Sequence, residues 1–598
     1  GIISIGSPAG DIVVVSDIAK TAGGDATLTL KANRMVALQA NVTSTSGKLN
    51  LVLWSDYDHT LDGGVEIGSS GGEIIINTNG GNLWAGGSST AGGSEIWYGL
   101  TVGYGPSVGA SGANANALNL NADINTSGGN VWIWAGRNYA DATRYGIGLF
   151  GNHTISTGTG DLTLTADQIY NWSGNGTLAV LTTGRLALEP AYGSWANGFD
   201  FNGSVSGTAF ILNNIGGAGQ PLAILGFSSS LGALSIGYND YTTVTISSPI
   251  NIAGSIDISS DYISINNSIE TSSILLLQAF RSITQNASGV LTAGDLWVLG
   301  MGGGNATLTA ANNMVGRLTA RNMGDIRFLN TSNLSIVSLP GTVGEPGITA
   351  SGVVKLGVLS GDINVTKLIT TSSVSTDAVV LDAGVNSAAG DASGGNILIS
   401  GSGGVSVGSG GRATLYTGSI SGSTGLVALV GTNAANYRYN SNAFTTLTPP
   451  LGAGLYGIYR EAYSPPITPT PSPVIASTQV TEPDTSAGVM ISTVIANGPS
   501  LIPPLPPATV DSSSAITVNL SPVIASGTTS ASVVTTVSSS TTSATQTGSE
   551  ATGSSTTSTS SQTGSATSTQ KSSGSTSQSG NTGTASTAAS DSETATSS

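Results

Sequence analysis

The chain has 598 residues, a net charge of −16 and only 8% charged residues. Its 17 basic residues are scattered singly, which excludes the clustered basic surface of a nucleic-acid-binding protein. The sequence contains no cysteine, which excludes disulfides and thiolate metal sites. Its 84 glycines, with abundant Ser, Thr and Asn, favour short strands and tight turns over helices.

The chain begins at Gly1 and carries no recognisable export signal, so we expect either a processed chain or a piece of a longer one. Its longest apolar run stops at Gln278 and falls well short of the ~18 residues that a membrane-spanning helix needs. We therefore predict no transmembrane segment. No motif in the sequence predicts a cofactor.

A short phrase recurs through residues 1–447. It consists of an apolar residue, a polar corner, a Gly-Gly or Gly-Asp turn and an alternating strand. The clearest copies are 76–87 and 124–136, and shorter copies begin at Gly24, Gly160, Gly294 and Gly361. From Gly24 to Gly47 the step is 23 residues, and the gap holds two further short strands. Three short strands in this length are typical of one coil of a solenoid.

Strict alternation within the strands predicts which side chains face inward. The predicted inward residues are Leu28, Leu30, Leu49, Leu51, Leu53, Val131, Ile133, Leu162 and Leu164. We therefore predict an all-β fold, a right-handed parallel β-helix over residues 1–447. A β-sandwich array is the alternative, but Asn-Gly steps do not recur as two-residue hairpin turns between matched strands.

The composition changes three times after the repeats. Aromatic and charged residues appear together in 448–463, which predicts a C-terminal cap on the β-helix. Residues 464–525 are rich in proline and predict an extended linker. Residues 526–598 are a Ser/Thr-rich, low-complexity segment that we expect to be disordered. This tail is either a flexible stalk, with or without O-glycosylation, or a segment with no role.

Three phrases resemble the filamentous haemagglutinin family, large exoproteins of Gram-negative bacteria. They are GKLNLVLWSD at 47–56, NGGNLWAGG at 79–87 and LYGIYREA at 455–462. The resemblance covers about residues 1–463 and implies display at the bacterial cell surface or secretion through an outer-membrane transporter, by two-partner secretion. It also implies adhesion to glycans or proteins on host cells or bacteria. The family's N-terminal secretion domain is not present in this sequence, and the family supplies no catalytic residues.

The residues themselves also favour a non-catalytic adhesin over an enzyme. Parallel β-helices include polysaccharide lyases and hydrolases, and such hydrolases need two neighbouring carboxylates. Here the acids are dispersed, mostly one at the start of a strand, as at Asp25, Asp161, Asp295, Asp325 and Asp362. We expect them to accept hydrogen bonds from backbone N–H groups of the turns. We predict no catalytic residue, and a polysaccharide-active enzyme is the alternative.

One insert carries a cluster of acids. Asp56, Asp58 and Asp62 place three carboxylates within seven residues, which makes them a weak calcium candidate. The segment lacks the spacing of an EF-hand loop, so we favour a solvated turn with no metal.

Five tryptophans fall on the outer face when strand positions are counted from the first inward residue. They are Trp54, Trp84, Trp132, Trp134 and Trp297. One interpretation is that the inserts at 55–72 and 86–117 fold back and cover Trp54, Trp84 and Trp132. The other is a binding stripe that stacks on sugar rings or on a partner protein.

Overall fold

The computed structural model describes residues 3–6, 10–68, 72–109, 116–136, 146–166, 168–171, 177–192, 199–201, 203–206, 209–212, 224–237, 242–338 and 346–463. The predicted linker (464–525) and tail (526–598) lie outside the described residues. Strands make up almost all of the regular structure. No helix in the described ranges has the length and apolar character needed to cross a bilayer.

The first half of the described chain contains twenty-one strands. They are β1 (Ile3–Gly6), β2 (Asp11–Val14), β3 (Ile18–Lys20), β4 (Ala26–Lys31), β5 (Val36–Leu38), β6 (Val42–Ser44), β7 (Leu49–Trp54), β8 (Val65–Ile67), β9 (Ile74–Asn77), β10 (Leu83–Gly86), β11 (Ser94–Trp97), β12 (Leu100–Gly103), β13 (Leu118–Leu120), β14 (Ala122–Asn125), β15 (Val131–Ala135), β16 (Ile147–Leu149), β17 (His153–Gly158), β18 (Leu162–Ala166), β19 (Ile169–Asn171), β20 (Thr177–Thr182) and β21 (Arg185–Glu189).

The second half continues in the same style and adds two short helical segments. Its strands are β22 (Phe199–Phe201), β23 (Gly203–Ser206), β24 (Ala209–Leu212), β25 (Ile224–Ser228), β26 (Ala233–Ile236), β27 (Thr243–Ile246), β28 (Ile250–Asn251), β29 (Ser255–Ile265), β30 (Ile269–Gln285), β31 (Leu291–Gly300), β32 (Asn305–Leu308), β33 (Met314–Met323), β34 (Ile326–Asn330), β35 (Leu334–Ile336), β36 (Ile348–Ala350), β37 (Val354–Val358), β38 (Ile363–Val365), β39 (Leu368–Thr371), β40 (Val379–Ala383), β41 (Ile397–Ile399), β42 (Gly404–Ser406), β43 (Arg412–Thr417), β44 (Tyr437–Arg438) and β45 (Gly454–Tyr459). The helical segments are α1 (Leu426–Val430) and a 3₁₀ turn (Ala434–Asn436).

The strands stack coil upon coil into parallel sheets. Sheet 1 follows the order β2-β5-β8-β13-β16-β19, sheet 2 follows β3-β6-β9-β14-β17-β20-β25, and sheet 3 begins β4-β7-β10-β15-β18-β21-β26. From β29 onward single strands run round the corners. The 17-residue β30, for example, pairs with β29, β31 and β32, so the faces become one continuous ladder. The predicted fold class, an all-β parallel β-helix, is confirmed.

The inside of the coils is filled with aliphatic side chains, as the alternation predicts. Leu30, Leu49, Leu51, Leu53, Val131, Ile133, Leu162 and Leu164 belong to one continuous core cluster, and Leu28 packs against it. Most of these side chains are fully buried. Because each buried Leu, Ile or Val contributes roughly 1.5–3 kcal/mol, this inner stack is the main source of stability.

A ladder of Asp and Asn side chains joins successive coils at the start of the sheet 3 strands. Each Oδ1 accepts a hydrogen bond of 2.8–2.9 Å from a backbone N–H one coil further on. The pairs are Asp25 with Lys48, Asn50 with Asn82, Asn82 with Asn130, Asn130 with Asp161, and Asp161 with Arg185. The residue separations are 23, 32, 48, 31 and 24, because some coils carry inserts.

The polar corner of the repeated phrase is also explained. The buried hydroxyls of Thr78, Thr126 and Thr157 donate to carbonyl oxygens three residues further on. The Gly-Gly turn that follows needs glycine for two reasons. Gly128 has a φ of 106°, in the left-handed region, and a Cβ on Gly129 would collide with the carbonyl of Gly81 in the neighbouring coil.

The described stack ends in the segment predicted as a cap. Strand β45 pairs in parallel with β43 and β44, and Leu426 and Val430 of α1 join the core. Arg460, directly after β45, is fully buried. Its guanidinium donates to the carbonyls of Ala383, Ser393 and Gly395.

Candidate functional site: an aromatic patch on the outer face of sheet 3

The outward side chains of sheet 3 line up in columns because the strands are parallel and in register. Val52 pairs with Trp84, and Trp84 pairs with Trp132. Followed coil by coil, the same column reaches Trp297 in β31. These residues are absent from the inner core cluster. Trp54 and Trp134 lie two positions further along their strands, on the same outer face.

Two of the predicted tryptophans are covered by the hairpin β11–β12. Trp54 is 3% exposed and Trp84 is fully buried, and they pack with Leu100 and Val102 of that hairpin in a second apolar cluster. The indole Nε1 of Trp54 donates a 2.7 Å hydrogen bond to Ser88 Oγ. The insert at 86–117 therefore shields both rings from solvent.

Trp132 and Trp134 are only half-buried. Their rings stack on each other, with centroids 5.0 Å apart and planes 11° apart. The indole of Trp132 donates to Thr165 Oγ1 at 2.9 Å. This hydrogen bond holds the ring in place while part of the stack stays open to solvent.

Three aromatic residues of the insert surround this stack. Trp97 packs against Trp132 with ring centroids 6.0 Å apart, and Tyr104 meets Trp134 edge-on at 6.4 Å. Tyr98 lies 5.2 Å from Trp97 and is 58% exposed, and Tyr104 is 54% exposed. We call these five residues the aromatic patch.

Partly buried acids lie next to the aromatic patch. Thr165, which accepts from the Trp132 indole, donates in turn to Glu189 Oε2 at 3.1 Å. Burial raises the pKa of Glu189 above its ordinary value, and the Thr165 hydrogen bond and the Arg185 charge oppose that rise. Burial also raises the pKa of Glu95 in β11. Aromatic faces beside carboxyl oxygens suit a ligand with apolar faces and hydroxyl groups, such as a sugar.

Trp297 stands apart from the patch. It is half-buried in β31 and has no ring contact with another aromatic side chain of the described residues. It shares a column with Trp84 and Trp132, but lies many coils further along sheet 3. The five predicted tryptophans therefore form one group of four and one isolated residue.

The three aspartates proposed as a calcium candidate do not converge. Asp56 is fully buried and its Oδ1 accepts from the Leu61 N–H, while Asp62 lies 3.5 Å from Arg34. Asp58 Oδ1 accepts from the hydroxyl of Thr60. Each carboxylate thus has a different neighbour, and burial raises the pKa of Asp56 to about 6.

The dispersed acids have structural partners, but not those expected. Asp25, Asp161, Asp325 and Asp362 accept from backbone N–H groups of the next coil rather than of their own turn. Asp295 instead forms an ion pair with Arg317. A shallow groove of about 270 Å³ between β34, β37 and β40 contains none of the predicted site residues.

The sequence reasoning missed Trp97, Tyr98 and Tyr104, because it treated the insert at 86–117 only as a cover. The adjacent pair Trp97-Tyr98 within a Gly/Ser-rich insert was the available signal. Comparisons with protein family models, with characterised proteins and with solved structures found no match to this chain.

Proposed function

We propose that this chain is a non-catalytic adhesin scaffold, displayed on a bacterial surface or secreted, that attaches to glycans of cells, matrix or other bacteria. The β-helix provides a rigid support and the aromatic patch makes the contact. The sequence phrases that resemble the filamentous haemagglutinins support the same assignment. They also support export through an outer-membrane transporter.

The observation that carries the proposal is the half-open stack of Trp132 on Trp134. The core does not need these rings, since Val131, Ile133 and Ala135 of the same strand fill it. Large aromatic groups that remain exposed on a soluble surface mark interaction sites. Rigid stacked rings bind the apolar face of a pyranose at low entropic cost, and neighbouring carboxyl and hydroxyl oxygens accept hydrogen bonds from its hydroxyl groups.

The test is binding of the full chain to immobilised glycans and to bacterial and epithelial cells. We expect Trp132→Ala combined with Trp134→Ala to weaken binding about tenfold or more, which corresponds to about 1.4 kcal/mol. Thermal unfolding of the same variant shows whether it is folded. The single variant Tyr98→Ser, at an exposed position, tests the patch without disturbing packing.

Trp297→Ala is the matched control, because Trp297 lies on the same outer face but outside the patch. Its binding should equal that of the wild type. The proposal fails if the wild-type chain binds no glycan or cell, or if the patch variants bind as well as Trp297→Ala. Release of reducing ends from polysaccharides would instead favour the alternative, a polysaccharide-active β-helix enzyme.

A further inference from the structure

A group of three metal-ligating side chains lies on sheet 2, separate from the aromatic patch. Among the described residues, Glu73, Asp123 and His153 have donor atoms within 4.8 Å of one another. Glu73 directly precedes β9, Asp123 lies in β14 and His153 begins β17. These strands are consecutive neighbours in sheet 2, so each ligand comes from a different coil.

His153 is the informative member of the group. Its side chain is only 2% exposed. Its Nε2 lies 3.1 Å from the carbonyl oxygen of Phe150, which only accepts, so Nε2 carries the proton and Nδ1 has a free lone pair. Nδ1 is buried and has no hydrogen-bond partner. A ring nitrogen fixed in this way by a backbone carbonyl on its other nitrogen is the usual arrangement of a metal-binding histidine.

The two carboxylates suit the same role. Asp123 is held in place because its Oδ1 accepts a 2.8 Å hydrogen bond from the Thr154 N–H. Glu73 Oε1 lies 3.9 Å from His153 Nδ1, which is too far for a hydrogen bond. The Glu73 side chain is 56% exposed and free to move inward. A tetrahedral ion with bonds near 2.0 Å needs donors about 3.3 Å apart, so only a small closing movement is required.

We propose that His153 Nδ1, Asp123 and Glu73 bind one divalent transition-metal ion of the zinc class, with water as the fourth ligand. An imidazole nitrogen together with carboxylates favours zinc over calcium or magnesium, which prefer all-oxygen sites. The bound ion links three successive coils and so stabilises this part of the stack. This site is independent of the proposed adhesin function.

The probe is Co²⁺, whose visible absorption reports four-coordinate binding, followed by displacement with Zn²⁺. The full chain is purified without a histidine tag. We expect one equivalent of Co²⁺ to bind to the wild type, and His153→Gln and Glu73→Gln each to weaken binding at least tenfold. Zn²⁺ should raise the unfolding temperature of the wild type by a few degrees relative to EDTA, and leave that of His153→Gln unchanged.

His59→Gln is the matched control, because the sequence has only one other histidine, and it should bind Co²⁺ like the wild type. If His153→Gln fails to fold, Glu73→Gln decides, since that side chain is exposed. The proposal is overturned if the wild type binds no Co²⁺, if binding survives both site variants, or if His59→Gln abolishes it. It is also overturned if Glu73→Gln lowers stability in EDTA while no metal binds, since Glu73 and His153 would then form only an ion pair.

Discussion

The backbone N–H of Asn130 donates a 2.8 Å hydrogen bond to the side-chain Oδ1 of Asn82, one coil away. The same bond links Asn82 to Asn50 and Asp161 to Asn130. The Asn or Asp of the repeated phrase therefore serves the coil that follows it rather than its own turn. This explains why the phrase keeps that residue while the distance between its copies varies.

Removing one step of this ladder should destabilise the stack. Asn82→Ala leaves the Asn130 N–H, which is partly buried, without its acceptor, and should lower the free energy of unfolding by about 1–2 kcal/mol. Asn82→Asp keeps the acceptor and should have a smaller effect. Urea denaturation measures both. Asn364→Ala is the control, since Asn364 accepts only a 3.3 Å bond from an exposed serine hydroxyl; equal losses in Asn82→Ala and Asn364→Ala would contradict the role of the ladder.

The Gly-Gly turn makes a prediction with an internal control. In Gly129→Ala the new methyl group meets the Gly81 carbonyl of the neighbouring coil, so the coils must separate. We expect a loss of about 1–3 kcal/mol. Gly24 opens another copy of the phrase, but a Cβ there meets no atom within 4 Å, so Gly24→Ala should be close to neutral. Similar unfolding midpoints for the two variants would show that the close approach is unimportant.

Trp84 should behave differently from the exposed rings. It is fully buried under the hairpin, so Trp84→Ala should cost about 3–5 kcal/mol. Its indole Nε1 is buried and has no hydrogen-bond partner. Trp84→Phe removes that unsatisfied donor and keeps most of the contacts, and should therefore cost much less than Trp84→Ala. Thermal unfolding of both variants checks the order, and a more stable Trp84→Ala would disprove it.

Arg460 should be a key residue at the C-terminal end of the described stack. Its buried guanidinium donates to three carbonyls, and burial lowers its pKa below the usual value. Arg460→Ala leaves those acceptors unpaired, and we expect a loss of about 3 kcal/mol or more. Arg460→Lys keeps the charge but not the fork of donors, and should recover only part of it. Phe444→Ser, at a position that is 81% exposed, is the control in the same denaturation experiment.

The buried Asp56 predicts a specific pH dependence. Burial raises its pKa from 3.8 to about 6, so between these values the folded chain binds more protons than the unfolded chain. The contribution of Asp56 to stability therefore falls as the pH rises from about 4 to 6, by on the order of 2 kcal/mol. Asp56→Asn keeps the Oδ1 acceptor for the Leu61 N–H and removes this slope. His59 lies 3.8 Å away, so His59→Gln is measured alongside. An unchanged slope in Asp56→Asn would refute the prediction.

The sequence alone determined the coil. Alternation has a period of two residues and a Gly-Asn or Gly-Asp turn acts over a few residues, so Leu51, Val131 and Ile133 were correctly assigned to the interior. The outward position of Trp132 and Trp134 followed from the same rule. These features depend only on local geometry, and for this reason they could be read without knowing which coils are neighbours.

Only the tertiary structure decided what these elements meet. Inserts change the separation of equivalent residues from 23 to 48, so sequence distance does not give the register between coils. The cover over Trp84, the acceptor of each ladder hydrogen bond, and the convergence of Glu73 with His153 all depend on that register. The physical reason is that a solenoid buries its core within a coil, but brings its outer side chains together between coils.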